Sequence, residues 1–408
     1  SSWLLLHFGM DVIKQRISTL ANDGKFGNGT LLEVKSESDE GKGAQYASAI
    51  CFLRVELSTK DGVIKEVPIV VKTQPTCVPA AEFMDTHLQF ATEVLAYDKI
   101  LPFLGVDRLG ILPNMYYGSA NSGMNPLGDI VVLEDLRSKG FKIAKETFLD
   151  YDTISLTLRK LGKFHGLSYR MKRSSMTTFR ELIDELPPRN IVDCGSLFKG
   201  GLLRAFRPFI ESHPVNKVAK KAYEMLSQKT MVEMWDKLSK PEEPFAVVAH
   251  GDFNSNNILF SFTEDGKAEG VKFFDFGTLA YLDPTADISF FLYMNTSAES
   301  REKHWDDLLM TYWDGVTSVE SNPGFGFEEF SNNFAKKAVY GFLPCSYFLP
   351  MVLWPEETNL LPEQYMAMTP EQHYDWALTK AGEKADLVLS SIVRHLLEKG
   401  YLDDLEYL

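Results

Sequence analysis

The residues best suited to chemistry stand in one span: His250-Gly251-Asp252, then Asn257 five residues after that aspartate, then Asp275-Phe276-Gly277 eighteen residues after the asparagine. An aspartate can take the proton of an attacking hydroxyl. An asparagine and a second aspartate can offer oxygen ligands to magnesium, the ion that offsets charge developing on a transferred phosphoryl group. In this order the residues suit phosphoryl transfer, with Asp252 as proton acceptor and Asn257 and Asp275 as metal ligands. Any one of them alone could equally serve an ordinary turn, since Asx side chains satisfy turn backbones. The reading rests on the three together and on what lies upstream.

The local pattern predicts how these residues are held. Val247-Val248-Ala249 closes one apolar run and Ile258-Leu259-Phe260 opens the next, so the polar loop between them is anchored at both ends. After the Glu264-Asp265-Gly266-Lys267 turn, Val271 to Phe274 reads as the return strand of a hairpin that brings Asp275 back beside Asn257.

Phosphoryl transfer of this kind also needs a strand lysine, a helix glutamate to fix it and a glycine-rich turn over the phosphates. Val67 to Lys72 is an apolar strand ending in a lysine, a charge that is costly there unless paired. Phe83 to Leu101 carries apolar residues at helical intervals, and Glu93 lies within that pattern, whereas Glu82 falls at its start. Lys72 and Glu93 are therefore the expected pair, an exposed strand lysine and a solvated helix charge being the alternative. Gly41-Lys42-Gly43 with Ser48 precedes the alternating strand Ala49 to Val55, as a phosphate-covering hairpin would, with Ser48 in place of a third glycine. A plain β-turn accounts for Gly41 and Gly43 equally well. Asp129 to Leu136 reads as a strand that runs into a hinge. Glu134 and Leu136 are candidates there to meet a purine ring through their main chains.

Collectively these motifs resemble the ecdysteroid kinase-like family, a branch of the choline kinase and aminoglycoside phosphotransferase group. The likeness is carried by Gly41 to Ser48, Lys72, Glu93 with Tyr97 and Leu101-Pro102, Leu133 to Leu136, Phe164-His165, His250 to Asn257, and Asp275 to Gly277 with Asp283-Pro284 and Asp287. It implies an α+β, two-lobed protein-kinase-like fold, with a small antiparallel-sheet N-lobe over 1–135 and a large, mostly helical C-lobe over 136–408. It further implies ATP and Mg2+ as cofactors, Asp252 as catalytic base, Asn257 and Asp275 on the metal, and Lys72 on a phosphate, oriented by Glu93. Where the family often has an aromatic residue two places after the catalytic aspartate, this chain has Asn254.

The acceptor is expected to be a small hydroxylated molecule. His250-Gly251-Asp252 lacks an arginine before the aspartate, and five residues separate Gly277 from Asp283 with no Ala-Pro-Glu after them, leaving no room for a peptide-docking segment. Asp283 and Asp287 are read as braces for the catalytic loop, and His165 as a packed helix-end histidine. Tyr340 to Trp354 is rich in aromatics and prolines and would suit an apolar, rigid acceptor such as a steroid, unless it is simply core. The family resemblance favours an ecdysteroid or another hydroxylated compound, foreign ones included. A choline- or aminoglycoside-type acceptor would call instead on Glu356, Glu357 and Glu363. A non-catalytic ATP-binding pseudokinase is opposed by the presence of Lys72, Asp252, Asn257 and Asp275 together.

The whole chain suits this reading. Its 408 residues carry a net charge of −14, which speaks against nucleic acid or an anionic membrane as partner. Cys51, Cys77, Cys194 and Cys345 are too scattered for a disulfide scaffold, and the Trp3 to Phe8 run is too short for a signal core or a membrane span. A cytosolic protein, monomeric or weakly homodimeric, is expected. Helices are predicted over Asp11 to Leu20, Tyr151 to Tyr169 and Val215 to Leu238, and a last amphipathic one within Asp386 to Leu408. Pro187-Pro188 and Gly200-Gly201 are read as breaks that mark a substrate lid.

Overall fold

The computed structural model describes residues 2–37, 48–75, 77–121, 128–189 and 191–408. Gly41 and Gly43 lie outside them, so the glycine turn is not placed. The chain divides into two units, one of Ser1–Asp98 with Pro113–Gly140 and one of Lys99–Leu112 with Phe141–Leu408. The fold is α+β, with an antiparallel-sheet unit and a large helical unit, as expected.

The first unit is built on strands β1 (Thr30–Ser36), β2 (Ala49–Ser58), β3 (Ile64–Thr73), β4 (Met115–Ser119) and β5 (Ile130–Glu134), in the spatial order β1-β2-β3-β5-β4. The period-2 pattern of β2 sends Leu53, Val55 and Leu57 to one face, where they meet Val67, Ile69 and Val71 of β3 and Ile17 and Leu20 of the helix Ser2–Asn22. Burying each such side chain contributes about 1.5–3 kcal/mol. Lys72 follows the opposite parity and leaves that core. Because β3 is central, Lys72 is not on an edge strand.

The helical run expected over Phe83 to Leu101 is broken. Val78–Met84 ends at Asp85, a non-glycine residue at φ 50°, and a new helix Thr86–Leu95 carries Glu93. This separates Glu82 from Glu93. The short segment Lys99–Leu112 belongs to the second unit, with the amide of Phe273 donating to the Ile111 carbonyl at 2.7 Å.

In the second unit β7 (Val247–Ala249) pairs with β10 (Ala280–Leu282), and β6 (Lys142–Ile143), β8 (Ile258–Phe262) and β9 (Ala268–Phe273) form a small sheet. β8 and β9 are the expected hairpin, with Ile258 opposite Phe273. The helix Tyr151–Ser174 runs past Tyr169, so His165 is inside it and not at its end. Val215 to Leu238 is two helices, Lys217–Ser227 and Met231–Ser239, the second started by a capping box in which Thr230 and Glu233 bond each other's backbone amides. Gly200 and Gly201 do not break the chain. They sit within the helix Gly195–Ser212, where a Cβ would meet Tyr374 O at 2.4 Å and Ser346 O at 2.2 Å, so they are spaces for neighbouring backbones. The Tyr340 to Trp354 stretch is mostly the helix Val339–Leu353. The last helix is Gly382–Glu398, followed by turns. Among the described residues no helix is long and apolar enough to cross a membrane.

Candidate active site

In the first unit, Lys72 Nζ donates to Glu93 Oε2 at 2.7 Å, with Lys72 7% and Glu93 1% exposed. A pair so deeply buried is close to neutral in net stability but expensive to break, because either partner alone would be an uncompensated buried charge. Ser48 is buried at the start of β2. At the end of β5 the Glu134 amide donates to Asn114 O at 2.8 Å, and its carboxylate takes the Asn114 side chain at 3.1 Å and pairs with Lys139. The Glu134 amide is therefore engaged within the sheet. Leu136 opens a short 3-10 turn capped by the Asp135 carboxylate.

In the second unit the loop between β7 and β8 is tied down residue by residue. Asp287 accepts from the amides of His250 at 2.7 Å and Gly251 at 2.9 Å, and its Oδ2 lies 3.1 Å from His165 Nε2. His165 Nδ1 reaches the Tyr312 hydroxyl at 2.9 Å. Gly251 sits at φ +86°, and a Cβ there would strike Thr278 O at 2.1 Å, so only glycine fits. His250 Nε2 donates to Phe274 O at 2.9 Å, which leaves Nδ1 as an acceptor facing the Asp252 amide at 3.4 Å. Further along, Asn295 accepts from Ser255 N at 3.2 Å and donates to Ser255 Oγ at 2.6 Å and Thr147 O at 2.9 Å.

This bracing leaves the Asp252 carboxylate half-buried and fixed at both oxygens, Oδ1 by Asn254 Nδ2 at 3.1 Å and Oδ2 by Asn257 Nδ2 at 2.8 Å. Burial, with the nearby carboxylates of Asp275 and Asp287, raises its carboxyl above the usual range, although His250 and the Asn257 amide pull the other way. Asp287 is fully buried, which alone would raise it. The His165 hydrogen bond and charge, His250 and the Gly251 amide outweigh burial and hold it low.

Asp275 follows β9 at φ 63°, ψ 63°, a left-handed conformation that a non-glycine residue holds only under constraint, and the Phe274 amide bonds Asn257 O at 3.1 Å. With its amide nitrogen given to Asp252, Asn257 has its side-chain oxygen left to offer. That oxygen and the Asp275 carboxylate are the hard donors magnesium takes. Among the described residues no group of three or more His, Cys, Asp or Glu gathers as a metal cage, so a cation here depends on further oxygens from phosphate or water.

Asp287 thus braces the loop, but Asp283 does not. Asp283 accepts from Thr285 N at 2.9 Å, Asn333 Nδ2 at 2.9 Å and Lys337 Nζ at 2.8 Å, fixing the start of the helix Thr285–Asn295. In the helix Val339–Leu353 the residues Tyr340 to Ser346 are buried, while Tyr347, Phe348 and Met351 to Trp354 are partly exposed. Burial raises the phenols of Tyr340 and Tyr347, and the helix packs against the helix Thr285–Asn295, which carries Asp287. Glu356, Glu357 and Glu363 are all exposed, and Glu357 pairs with Lys384. Sequence reasoning missed two residues here: Asn295, and the contact Asn254 makes.

Fold and site together define a phosphotransferase of the small-molecule kinase class. The chain belongs to the ecdysteroid kinase-like family, whose sequence profile matches residues 42–320. A solved structure to which it is similar, an aminoglycoside-3'-phosphotransferase of type VIII, is 12% identical, with 78% of this chain and 98% of that chain covered at a TM-score of 0.33. Comparison with curated proteins finds no match.

Proposed function

We propose that the protein is an ATP- and Mg2+-dependent kinase that transfers the γ-phosphate to a hydroxyl of an ecdysteroid or a similar apolar hydroxylated compound, foreign ones included. The observation that carries this reading is the Asp252 carboxylate, held at both oxygens by Asn254 and Asn257 on the loop whose next hairpin leads to Asp275. In this reading Asp252 receives the acceptor's proton as the hydroxyl attacks. Asn257 and Asp275 hold the metal, which when bound offsets charge on the phosphate oxygens. Lys72, oriented by Glu93, holds a phosphate, and the Leu136 main chain meets the purine.

The acceptor assignment is supported by the partly exposed Tyr347, Phe348 and Met351 on the helix Val339–Leu353, which packs against the helix that carries Asp287, surfaces that suit an apolar body. A cationic acceptor of the choline or aminoglycoside type finds less support, because Glu356, Glu357 and Glu363 are spread over solvent-exposed positions. The protein would act in the cytosol, as a monomer or weak homodimer. The test is ATP consumption with magnesium against a panel of 20-hydroxyecdysone, ecdysone, hydroxylated plant toxins, glucosides, choline and kanamycin, with product mass confirmed. A phosphorylated steroid, toxin or glucoside is expected. Turnover of choline or kanamycin alone would reverse the acceptor assignment, and ATP binding without transfer to any of them would favour a non-catalytic protein.

A further inference from the structure

We propose that Asn254 is a positioning residue: its side-chain amide holds one oxygen of the Asp252 carboxylate and so fixes the direction in which that group faces the acceptor hydroxyl. The inference rests on Asp252 being the proton acceptor. A carboxylate turns about a soft, roughly two-fold terminal torsion. One donor leaves that rotation partly open, and a donor at each oxygen closes it. Asn257 Nδ2 supplies one at 2.8 Å to Oδ2, and Asn254 Nδ2 supplies the other at 3.1 Å to Oδ1. Asn254 is 2% exposed and also donates to Asp252 O at 3.3 Å. Each carboxylate oxygen accepts at more than one site, so a lone pair remains for the incoming proton.

Asn254 performs two separable tasks. Its Oδ1 accepts from Asn256 N at 3.0 Å and caps the short turn Ser255–Asn257, whereas its Nδ2 faces Asp252. Asn254→Asp keeps an acceptor for the turn and replaces the donor with an oxygen that repels the Asp252 carboxylate. Asn254→Ala removes both. An aromatic side chain at this place would offer no amide to the Asp252 carboxylate.

The experiment measures kcat and the KM for ATP in Asn254→Asp and Asn254→Ala, using the acceptor found in the panel or, without one, water in Mg–ATP hydrolysis. Melting temperatures and crystal structures of both variants accompany it. A misplaced reacting group costs up to about a hundredfold, so kcat should fall roughly tenfold to a hundredfold in both variants with the KM for ATP unchanged. The Asp252 carboxylate should be rotated in the Asn254→Ala crystal. Wild-type kcat in Asn254→Asp would reduce Asn254 to a turn cap and overturn the proposal, as would an unrotated Asp252 in Asn254→Ala. Should Asn254→Ala fail to fold, Asn254→Asp, which retains the cap, decides alone. Asp252→Asn is measured alongside: if it retains turnover, the assignment of Asp252 fails, a result distinct from failure at Asn254 alone.

Discussion

The loop His250 to Asn257 and the helix Thr285–Asn295 each present a carboxylate to the same small region, and the two behave in opposite ways. Asp287, on the helix, is wholly buried, yet amides at both oxygens and two histidines favour its charged form. Asp252, on the loop, is half-exposed, but burial and two neighbouring carboxylates leave its charged form less favoured. The difference separates a brace from a reactive group. A brace is stabilised as the anion in the resting protein, whereas a proton acceptor keeps some of its stabilisation for the moment the hydroxyl arrives.

The comparison breaks first at Asp252→Asn. A lost general base costs about 10²–10⁴-fold, so turnover should collapse while the melting temperature and Mg–ATP binding by calorimetry stay near wild type. Full turnover would end the assignment. Asp287→Ala should do the reverse, lowering stability by about 3–5 kcal/mol in denaturant titration by leaving His165 and two loop amides unanswered. Because its carboxyl is held below the ordinary 3.8, the stability it contributes is complete above that pH and is lost as pH falls through the lower folded value. Asp287→Asn should therefore flatten the loss of stability below about pH 4. Asn295→Ala should cost about 1–3 kcal/mol through the unsatisfied Ser255 and Thr147 groups, seen as a lower melting temperature. The smallest effect is expected at Glu357→Ala, an exposed position, where stability should stay within about 0.5 kcal/mol and the acceptor KM should not move. A weakened acceptor there would revive the cationic reading.

What could be read from the chain divides along contact distance. The span from Asp252 to Asp275 was legible because one loop and one hairpin set its geometry locally, and Lys72 with Glu93 because a buried strand charge demands a partner. Asn295 left no trace, since its contact with Ser255 joins positions forty residues apart and an asparagine near a helix end has many uses. Gly200-Gly201 misled because glycine marks a turn and a close helix approach with the same letter. The break before Met231 did carry a signal, Thr230 three residues before Glu233, hidden by the apolar run around it. The break at Asp85 rests on a left-handed aspartate that no spacing announces.

His250 has a further consequence. Its ring is fastened at one nitrogen to the end of the strand leading to Asp275 and at the other to the amide of Asp252, so it works as a rivet between two segments. Neither aspartate can drift from the other without tearing that joint. The freedom that would otherwise be surrendered when the reacting groups are gathered is thus surrendered once, as the chain folds, and not again in each catalytic cycle.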